Sequence, residues 1–185
     1  NSQTALLDAL LELMPSSETD ERFERARGEL QRFERVEACV EPPTFQGELR
    51  QYQREGLGWF AFLRRFGLGG CLADDMGLGK TVQALALLES RRLENAGPSL
   101  VVAPRSLVFN WKQEAARFAP SLRVLDHTGA ERSRGSIGLT DEHLVITTYG
   151  TLRRDIAALR EVEFDYVVLD EAQAIKNAST AAAKA

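Results

Sequence analysis

The stretch CLADDMGLGKTVQALALLESRRL, residues 71–93, decides the fold, because a short apolar run leads through a glycine-bearing turn directly into a helix. Such a turn points several backbone N–H groups at one spot, and the helix N-terminus adds its partial positive charge. A di- or triphosphate binds well at a spot of this kind. We expect Lys80 to reach the β- and γ-phosphates and the Thr81 hydroxyl to contact Mg²⁺.

The loop departs from the usual phosphate-loop pattern G-x-x-x-x-G-K-[ST] at one position. Asp74 stands in the place of the first glycine, whereas the second glycine, the lysine and the threonine are all present. Because the loop lies between a predicted strand and a predicted helix, we still interpret it as a nucleotide-binding loop. Its expected contacts to the nucleotide are Asp75, Met76, Gly77, Leu78, Gly79, Lys80 and Thr81.

Short apolar runs alternate with helical patterns along the rest of the chain. The runs cover residues 71–73, 100–103, 122–125, 144–147 and 166–169, and the helical patterns cover 48–66, 80–95, 106–118 and 149–160. Nearly all-apolar strands that alternate with helices are typical of a parallel sheet covered by helices on both faces. The sequence therefore predicts an α/β fold.

The last apolar run ends in two carboxylates, Asp170 and Glu171. Ligands of open parallel sheets collect at the carboxyl ends of the strands, so both side chains are expected in the same crevice as Lys80 and Thr81. Phosphoryl transfer needs a carboxylate that holds Mg²⁺, mostly through water, and a polar group that orients the attacking water. Asp170 suits the first role and Glu171 the second, and together with Lys80 they are the candidate catalytic residues.

Residues 1–43 are expected to form a small α-helical extension before the domain of residues 44–185. Leucines recur at helical spacing over 3–14, Pro15 ends that pattern, and a second helix with a narrow apolar stripe follows. Glu41-Pro42-Pro43 is interpreted as the linker. The two helices either pack on the next domain or form an arm that binds a protein partner.

Composition excludes several classes of protein. Of the 185 residues, 44% are apolar and 27% charged, which is the balance of a globular domain rather than of a disordered or fibrous chain. No window approaches the length of apolar sequence that a membrane-spanning helix needs. The net charge of −4 arises in residues 1–40, and residues 41–185 are neutral. A nucleic-acid contact would therefore need a local basic patch or parts of the protein outside this chain.

Cysteines and histidines indicate no metal or redox site. Cys39 and Cys71 lie far apart without a CxxC pattern, and a reducing compartment fits them. His127 and His143 have no plausible ligand or nucleophile nearby in the sequence, so both are interpreted as incidental.

Two segments, ADDMGLGKT at 73–81 and DEAQAIKN at 170–177, resemble motifs I and II of the Swi/Snf-type ATPases of helicase superfamily two. The DEAQ variant resembles the bacterial members. Three further segments resemble other motifs of the family, and all five occur in the family's order along the chain. LRQYQREGLGW at 49–59 resembles its Q motif, and LVVAPRSLVFNWKQEAARF at 100–118 resembles its motif Ia with the helix that follows. VITTYG at 145–150 resembles its motif Ib. The resemblance also accounts for Asp74, since this superfamily does not keep the first glycine.

The resemblance implies a RecA-like lobe that binds ATP with Mg²⁺ and belongs to a motor that translocates on double-stranded DNA. It also implies that Gln53 recognises adenine, although an amphipathic helix with Leu57 and Trp59 in the core gives a similar pattern. Trp111 is expected to pack rather than to stack on a base, and Lys176 is either a surface charge or a DNA contact. Candidate contacts to DNA phosphates, or alternatively caps at strand ends, are Arg105, Ser106, Thr147 and Thr148.

Beyond motif II the family continues with a TGTP-like motif and a second lobe that carries arginine fingers, and neither is found in these 185 residues. We therefore expect a first lobe truncated after motif II, nearly inactive by itself, from a cytoplasmic, nucleoid-associated bacterial protein. The parent protein is expected to be a DNA-dependent ATPase that remodels or displaces DNA-bound proteins. The alternative is an ATP-binding switch or protein-interaction module with little turnover.

Overall fold

The computed structural model describes residues 36–75, 77–129, 132 and 138–175. Its α-helices are α1 (Gln51–Arg65), α2 (Lys80–Leu93), α3 (Arg105–Phe118) and α4 (Tyr149–Leu159). Its strands are β1 (Ser99–Ala103), β2 (Val124–Asp126), β3 (Leu144–Thr148) and β4 (Tyr166–Leu169). A 3₁₀ helix covers Ala172–Ile175. The helices expected before residue 36 lie outside the described residues. No helix in the described ranges is long and apolar enough to cross a membrane.

The four strands form one parallel sheet in the order β2-β3-β1-β4. Val102 of β1 lies opposite Thr147 of β3 and Leu169 of β4. Because every strand runs in the same direction, the carboxyl ends of all four meet at one edge of the sheet. The predicted parallel α/β class is confirmed, and this edge is where the predicted site residues follow their strands.

Helices cover both faces of the sheet, as predicted. On one face, Val101 and Ile146 are completely buried in a cluster to which α1, α2 and α3 contribute. On the other face, Leu100 and Val145 pack with Leu159 of α4. Successive side chains of a strand point to opposite faces, so a strand with a helix layer on each side must be apolar at nearly every position.

The apolar run at 71–73 does not form a strand, so that prediction is wrong. Two of its three residues are exposed, and it pairs with no strand in the described part of the chain. Side chains of α2 instead hold the residue that follows. Lys80 Nζ donates to the Asp74 carbonyl at 2.6 Å, and Gln83 Nε2 donates to the Asp74 carboxylate at 3.1 Å. Three apolar residues signal an extended segment but cannot specify a neighbouring strand.

The predicted linker Glu41-Pro42-Pro43 is fixed to α1. The Glu41 carboxylate accepts hydrogen bonds from Nε and Nη2 of Arg54 at 3.0 and 2.9 Å, and this guanidinium lowers the pKa of Glu41 to about 2. Gly58 lets the chain at Glu37 approach α1 closely, since a Cβ at Gly58 would stand 1.9 Å from the carbonyl oxygen of Glu37. Residues 36–43 thus pack against the domain, and the boundary at residue 43 stays a prediction.

A bidentate ion pair sets the position of α2 along the sheet. Arg91, near the C-terminus of α2, donates from Nε and Nη2 to the two carboxylate oxygens of Asp165, each at 2.7 Å. Asp165 immediately precedes β4, and a connection of only five residues makes α2 run antiparallel to β1. From Arg91 back to Lys80 the helix spans about 16 Å, and from Asp165 to Asp170 the chain also spans about 16 Å. Lys80 and Asp170 therefore lie toward the same edge of the sheet.

Replacement of Asp165 by alanine is expected to destabilise the chain by about 1.5–3 kcal/mol, because the nearly buried Arg91 loses both hydrogen bonds to Asp165 and keeps only its ion pair with Glu94 among the described residues. Urea-induced unfolding followed by circular dichroism measures the change. Glu163→Ala removes an exposed carboxylate from the same loop and should cost less than about 0.5 kcal/mol. Equal effects of the two substitutions would contradict the anchoring role of the ion pair.

Candidate nucleotide-binding site

The loop before α2 has a left-handed backbone at two glycines. Gly77 and Gly79 have φ angles of 84° and 75°, a region that side chains with a Cβ rarely adopt. Gly79 is the N-cap of α2, and no side chain caps the helix there. The N–H groups of the first turn therefore find no side-chain acceptor among the described residues, and the positive end of the helix dipole adds to them. An anion would complete this helix terminus.

Lys80 places an unneutralised positive charge at the same loop. Its Nζ donates to the carbonyl oxygens of Asp74 and Asp75 at 2.6 and 3.2 Å, and it forms no ion pair with a carboxylate among the residues that the structure describes. Neutral carbonyls orient the ammonium group but leave its charge uncompensated. This cation beside an uncapped helix N-terminus fits the predicted di- or triphosphate.

Helix α1 supports the loop from one side. Nε2 of Gln53 and the hydroxyl of Tyr52 both donate to the Leu78 carbonyl, at 3.1 and 2.9 Å. Oε1 of Gln53 accepts from the Arg50 N–H at 2.9 Å, so both ends of this buried amide are engaged within the protein. The structure places Gln53 at the phosphate loop, and its contact with adenine stays a prediction. Sequence reasoning does not single out Tyr52.

Helix α2 supports the loop through a residue that sequence reasoning also misses. Gln83 is fully buried, and its Nε2 donates to the Asp74 carboxylate at 3.1 Å. Its Oε1 lies against α1 at Gly56, where a Cβ would stand only 2.1 Å from that oxygen. The signal that could have identified Gln83 is an amide side chain within the otherwise apolar run VQALALL, since glutamine is seldom fully buried.

The two predicted carboxylates lie at the carboxyl edge of the sheet. The Asp170 N–H donates to the Val102 carbonyl at 2.9 Å, which continues the pairing of β4 with β1. Glu171 has a left-handed φ of 50°, and such backbone strain in a residue with a side chain is common at functional sites. No hydrogen bond or ion pair joins either carboxylate to Lys80 or Thr81 among the described residues. The parallel topology, rather than a direct contact, places the loop and the acids at one edge.

Two aromatic side chains hold Asp170. Nε1 of Trp111, on α3, donates to Oδ2 of Asp170 at 2.8 Å, and the hydroxyl of Tyr149, the first residue of α4, donates to its backbone carbonyl at 2.7 Å. Trp111 is buried in the main core, as predicted, and the hydrogen bond is an additional role. Burial, followed by the charges of Asp170 and Glu171, raises the pKa of Tyr149, so its hydroxyl keeps the proton that it donates.

The residues predicted to contact DNA phosphates differ in accessibility. Arg105 and Ser106 are exposed in the first turn of α3. The Thr148 hydroxyl accepts a backbone hydrogen bond and caps α4. Thr147 is fully buried, and its hydroxyl donates to the His127 carbonyl at 3.0 Å. A phosphate contact by the Thr147 side chain is therefore wrong, because this side chain is fully buried. The other three contacts stay predictions.

One of the histidines interpreted as incidental belongs to a buried polar cluster. Nε2 of His127 lies 3.0 Å from Oδ2 of Asp155, and Arg132 donates from Nε and Nη2 to the same carboxylate at 2.6 and 3.0 Å. The Arg132 guanidinium lowers the pKa of Asp155. Asp155 is also the residue at which α4 departs from helical geometry. The cluster ties the end of β2 to this kink.

The described residues contain no group of three or more His, Cys, Asp or Glu side chains placed to hold a metal ion. Mg²⁺ is commonly bound by one or two protein oxygens together with phosphates and water. The sequence predicts that Thr81 and Asp170 supply these oxygens, mostly through water, and this stays a prediction. Met76 and Lys176, for which the sequence also predicts roles, lie outside the described residues.

Comparison with known proteins gives a match to the model of the SNF2-related domain over residues 52–185. YwqA of Bacillus subtilis (strain 168), named as a candidate ATP-dependent helicase/translocase, is 43% identical over 150 residues, which are 77% of this chain and 16% of YwqA. The human chromatin-remodeling ATPase INO80 is 40% identical over 157 residues, 78% of this chain and 10% of INO80. The chain thus spans less than a fifth of the length of these curated relatives.

Solved structures agree with this match. The SWI2/SNF2 ATPase core of Sulfolobus solfataricus in complex with double-stranded DNA has a TM-score of 0.72 and 43% sequence identity, over 82% of this chain and 31% of that chain. The SWI2/SNF2 ATPase core domain of the same organism has a TM-score of 0.69 and 45% identity, over 78% and 30%. These similarities confirm the RecA-like α/β fold.

Gly79→Ala is expected to weaken ATP binding more than tenfold. The new Cβ would stand 2.7 Å from Nε2 of Gln53, and the left-handed backbone costs roughly 1–2 kcal/mol with a side chain. Isothermal titration calorimetry measures the affinity. Gly67→Ala is the matched control, because Gly67 has a similar φ of 64° with nothing within 4 Å of its Cβ position. If both variants bind ATP equally, the loop geometry does not determine affinity.

Proposed function

The chain belongs to the family of SNF2-related domains, and from this premise we propose that it is the ATP-binding lobe of a DNA-dependent ATPase. The parent protein would translocate on double-stranded DNA and remodel or displace proteins bound to it. The observation that carries the proposal is the uncompensated Lys80 ammonium beside the uncapped N-terminus of α2. A polyphosphate is the ligand that such a pair of features binds best.

The proposed reaction is an attack of water on the γ-phosphorus of ATP, with release of ADP and phosphate. Lys80 and the N–H groups of the first turn of α2 bind the β- and γ-phosphates. Thr81 and Asp170 would hold Mg²⁺, mostly through water, and the bound ion would offset the negative charge of the phosphates. Glu171 orients the attacking water. All four side chains come from segments that end or begin at the carboxyl edge of the sheet.

Support for DNA as the partner comes from the same edge. Arg105, Ser106 and Thr148 lie at the first turns of α3 and α4, where hydroxyl, guanidinium and backbone N–H groups can bind phosphate oxygens. A relative with 43% identity has been solved as a complex with double-stranded DNA. We expect the DNA groove to need further parts of the parent protein, and the N-terminal helices to bind a protein partner. The protein would act on the nucleoid in the bacterial cytoplasm.

We further propose that the chain alone hydrolyses ATP very slowly. It spans 16% of YwqA and 10% of INO80, and its sequence contains no TGTP-like segment. An arginine finger supplied by another lobe contributes about 10³–10⁵ in rate. Strong phosphate release by the chain alone in the presence of duplex DNA would contradict this.

Lys80→Ala and Glu171→Gln should separate binding from hydrolysis in the parent protein. Lys80→Ala is expected to abolish ATP binding, whereas Glu171→Gln should bind ATP normally and slow its hydrolysis by about 10²–10⁴, the usual contribution of a group that assists proton transfer. Equilibrium nucleotide binding and steady-state phosphate release give the two readouts. Lys112→Ala is the control, because Lys112 is an exposed lysine paired with Asp126. Steady-state turnover that survives Glu171→Gln would rule out the role of Glu171.

Arg105→Ala in the parent protein should weaken duplex binding about equally for all sequences, since the predicted contact is to a phosphate. The slope of log K against log salt should become shallower by about one. Fluorescence anisotropy at several salt concentrations measures this slope. Arg117→Ala removes an exposed arginine from the opposite end of α3 and should leave the slope unchanged. An unchanged slope for Arg105→Ala as well would exclude the contact.

A further inference from the structure

Asp170 is held at three points by three different elements. Its N–H donates to Val102 of β1 at 2.9 Å, its carbonyl accepts from the Tyr149 hydroxyl at 2.7 Å, and Oδ2 accepts from Nε1 of Trp111 at 2.8 Å. The other carboxylate oxygen, Oδ1, accepts no hydrogen bond from the described residues. The backbone and one oxygen are thus fixed by the protein, and one oxygen is left for a ligand.

The two aromatic donors belong to the segments that are predicted to contact DNA. Trp111 lies on α3, whose first two residues are Arg105 and Ser106, and about 9 Å of rigid helix separates Arg105 from Trp111. Tyr149 directly follows Thr148, the N-cap of α4. A displacement of either helix N-terminus would therefore move a donor of Asp170.

The alternative is that Trp111 and Tyr149 only fill space. Trp111 is in the main core and Tyr149 packs on the second core cluster, so both contribute to packing. Yet each buries one polar group, and each of these groups donates to the same residue. An indole N–H can only donate, and a buried one needs an acceptor. Packing alone does not explain why the Trp111 and Tyr149 side chains both donate to Asp170.

We propose that Trp111 and Tyr149 are positioning residues that link the segments predicted to contact DNA to the carboxylate that would hold Mg²⁺. Duplex DNA then strengthens the binding of Mg·ATP through these two hydrogen bonds, and by linkage Mg·ATP strengthens the binding of DNA by the same factor. This inference rests on the proposed function, and it names the residues through which DNA acts on the nucleotide site.

The test uses Trp111→Phe and Tyr149→Phe in the parent protein, because each keeps the ring and removes only the donor. The rate of ATP hydrolysis is measured against Mg²⁺ concentration, with and without duplex DNA. Each variant should raise the half-saturating Mg²⁺ concentration three- to tenfold in the presence of DNA and reduce the stimulation by DNA at least threefold. A purely structural role would lower the melting temperature without changing the Mg²⁺ dependence.

Trp59→Phe and Tyr166→Phe are matched controls, since the polar atoms of these two side chains form no hydrogen bond with the described residues. Both controls should have the Mg²⁺ dependence and DNA stimulation of the unchanged protein. If Trp111→Phe and Tyr149→Phe behave like these controls while DNA stimulates hydrolysis normally, the inference is wrong and the proposed function stands. If duplex DNA does not stimulate ATP hydrolysis by the unchanged protein, the inference and the proposed function are both wrong.

A spectroscopic measurement on this chain checks the same contact without turnover. In the Trp59→Phe variant, Trp111 is the one tryptophan of the 185 residues. Its fluorescence should change when Mg·ATP is added and should not change with ATP and excess EDTA. Emission that stays constant while calorimetry shows Mg·ATP bound would overturn the link between Trp111 and the metal site.

Discussion

The bidentate pair between Arg91 and Asp165 is the constraint on which the arrangement of the site depends. It fastens the C-terminal end of α2 to the beginning of β4, so the opposite ends of these two elements are brought to one edge of the sheet. A helix rises about 1.5 Å per residue and a strand about 3.3 Å, and eleven helical residues therefore match five extended ones. The phosphate loop at Lys80 and the carboxylate of Asp170 are aligned by this matching of lengths, although no described contact joins them.

Each half of the site is then held by residues from neighbouring elements. Tyr52 and Gln53 of α1 donate to the Leu78 carbonyl, and Gln83 of α2 holds Asp74, so the phosphate loop is supported on both sides. Asp170 is held from α3 and α4. The loop therefore needs no strand pairing of its own residues 71–73 to keep its shape. Its conformation depends on side-chain hydrogen bonds, and the two left-handed glycines allow it.

The strands of the sheet and the phosphate loop can be predicted from the local pattern of the sequence. The apolar runs predict β1 and β3 because a strand between two helix layers is buried on both sides. The run of β4 is equally apolar, although Val167 and Leu169 are exposed. The glycines and Lys80 predict the loop from its own residues. The strand expected at 71–73 is absent, since three apolar residues do not say whether a neighbour is available. Thr147 is a candidate for either a DNA contact or a strand-end cap in the sequence, because its position in a motif does not reveal that its side chain is fully buried. The bonds of Trp111 and Tyr149 to Asp170 join residues 59 and 21 positions apart, respectively, and no periodicity or spacing predicts such contacts.

We infer that the loop at Lys80 and the carboxylate of Asp170 bind one metal–nucleotide complex. The most direct measurement is an NMR titration of the ¹⁵N-labelled chain with Mn²⁺ and ATP, in which the indole N–H signals of Trp59 and Trp111 are followed. Paramagnetic Mn²⁺ broadens nearby signals, and Trp111 is hydrogen-bonded to Asp170. We predict that Mn·ATP broadens the Trp111 signal first and most strongly, and that Lys80→Ala abolishes this effect. Equal broadening of both indole signals, or broadening that survives Lys80→Ala, would contradict the claim.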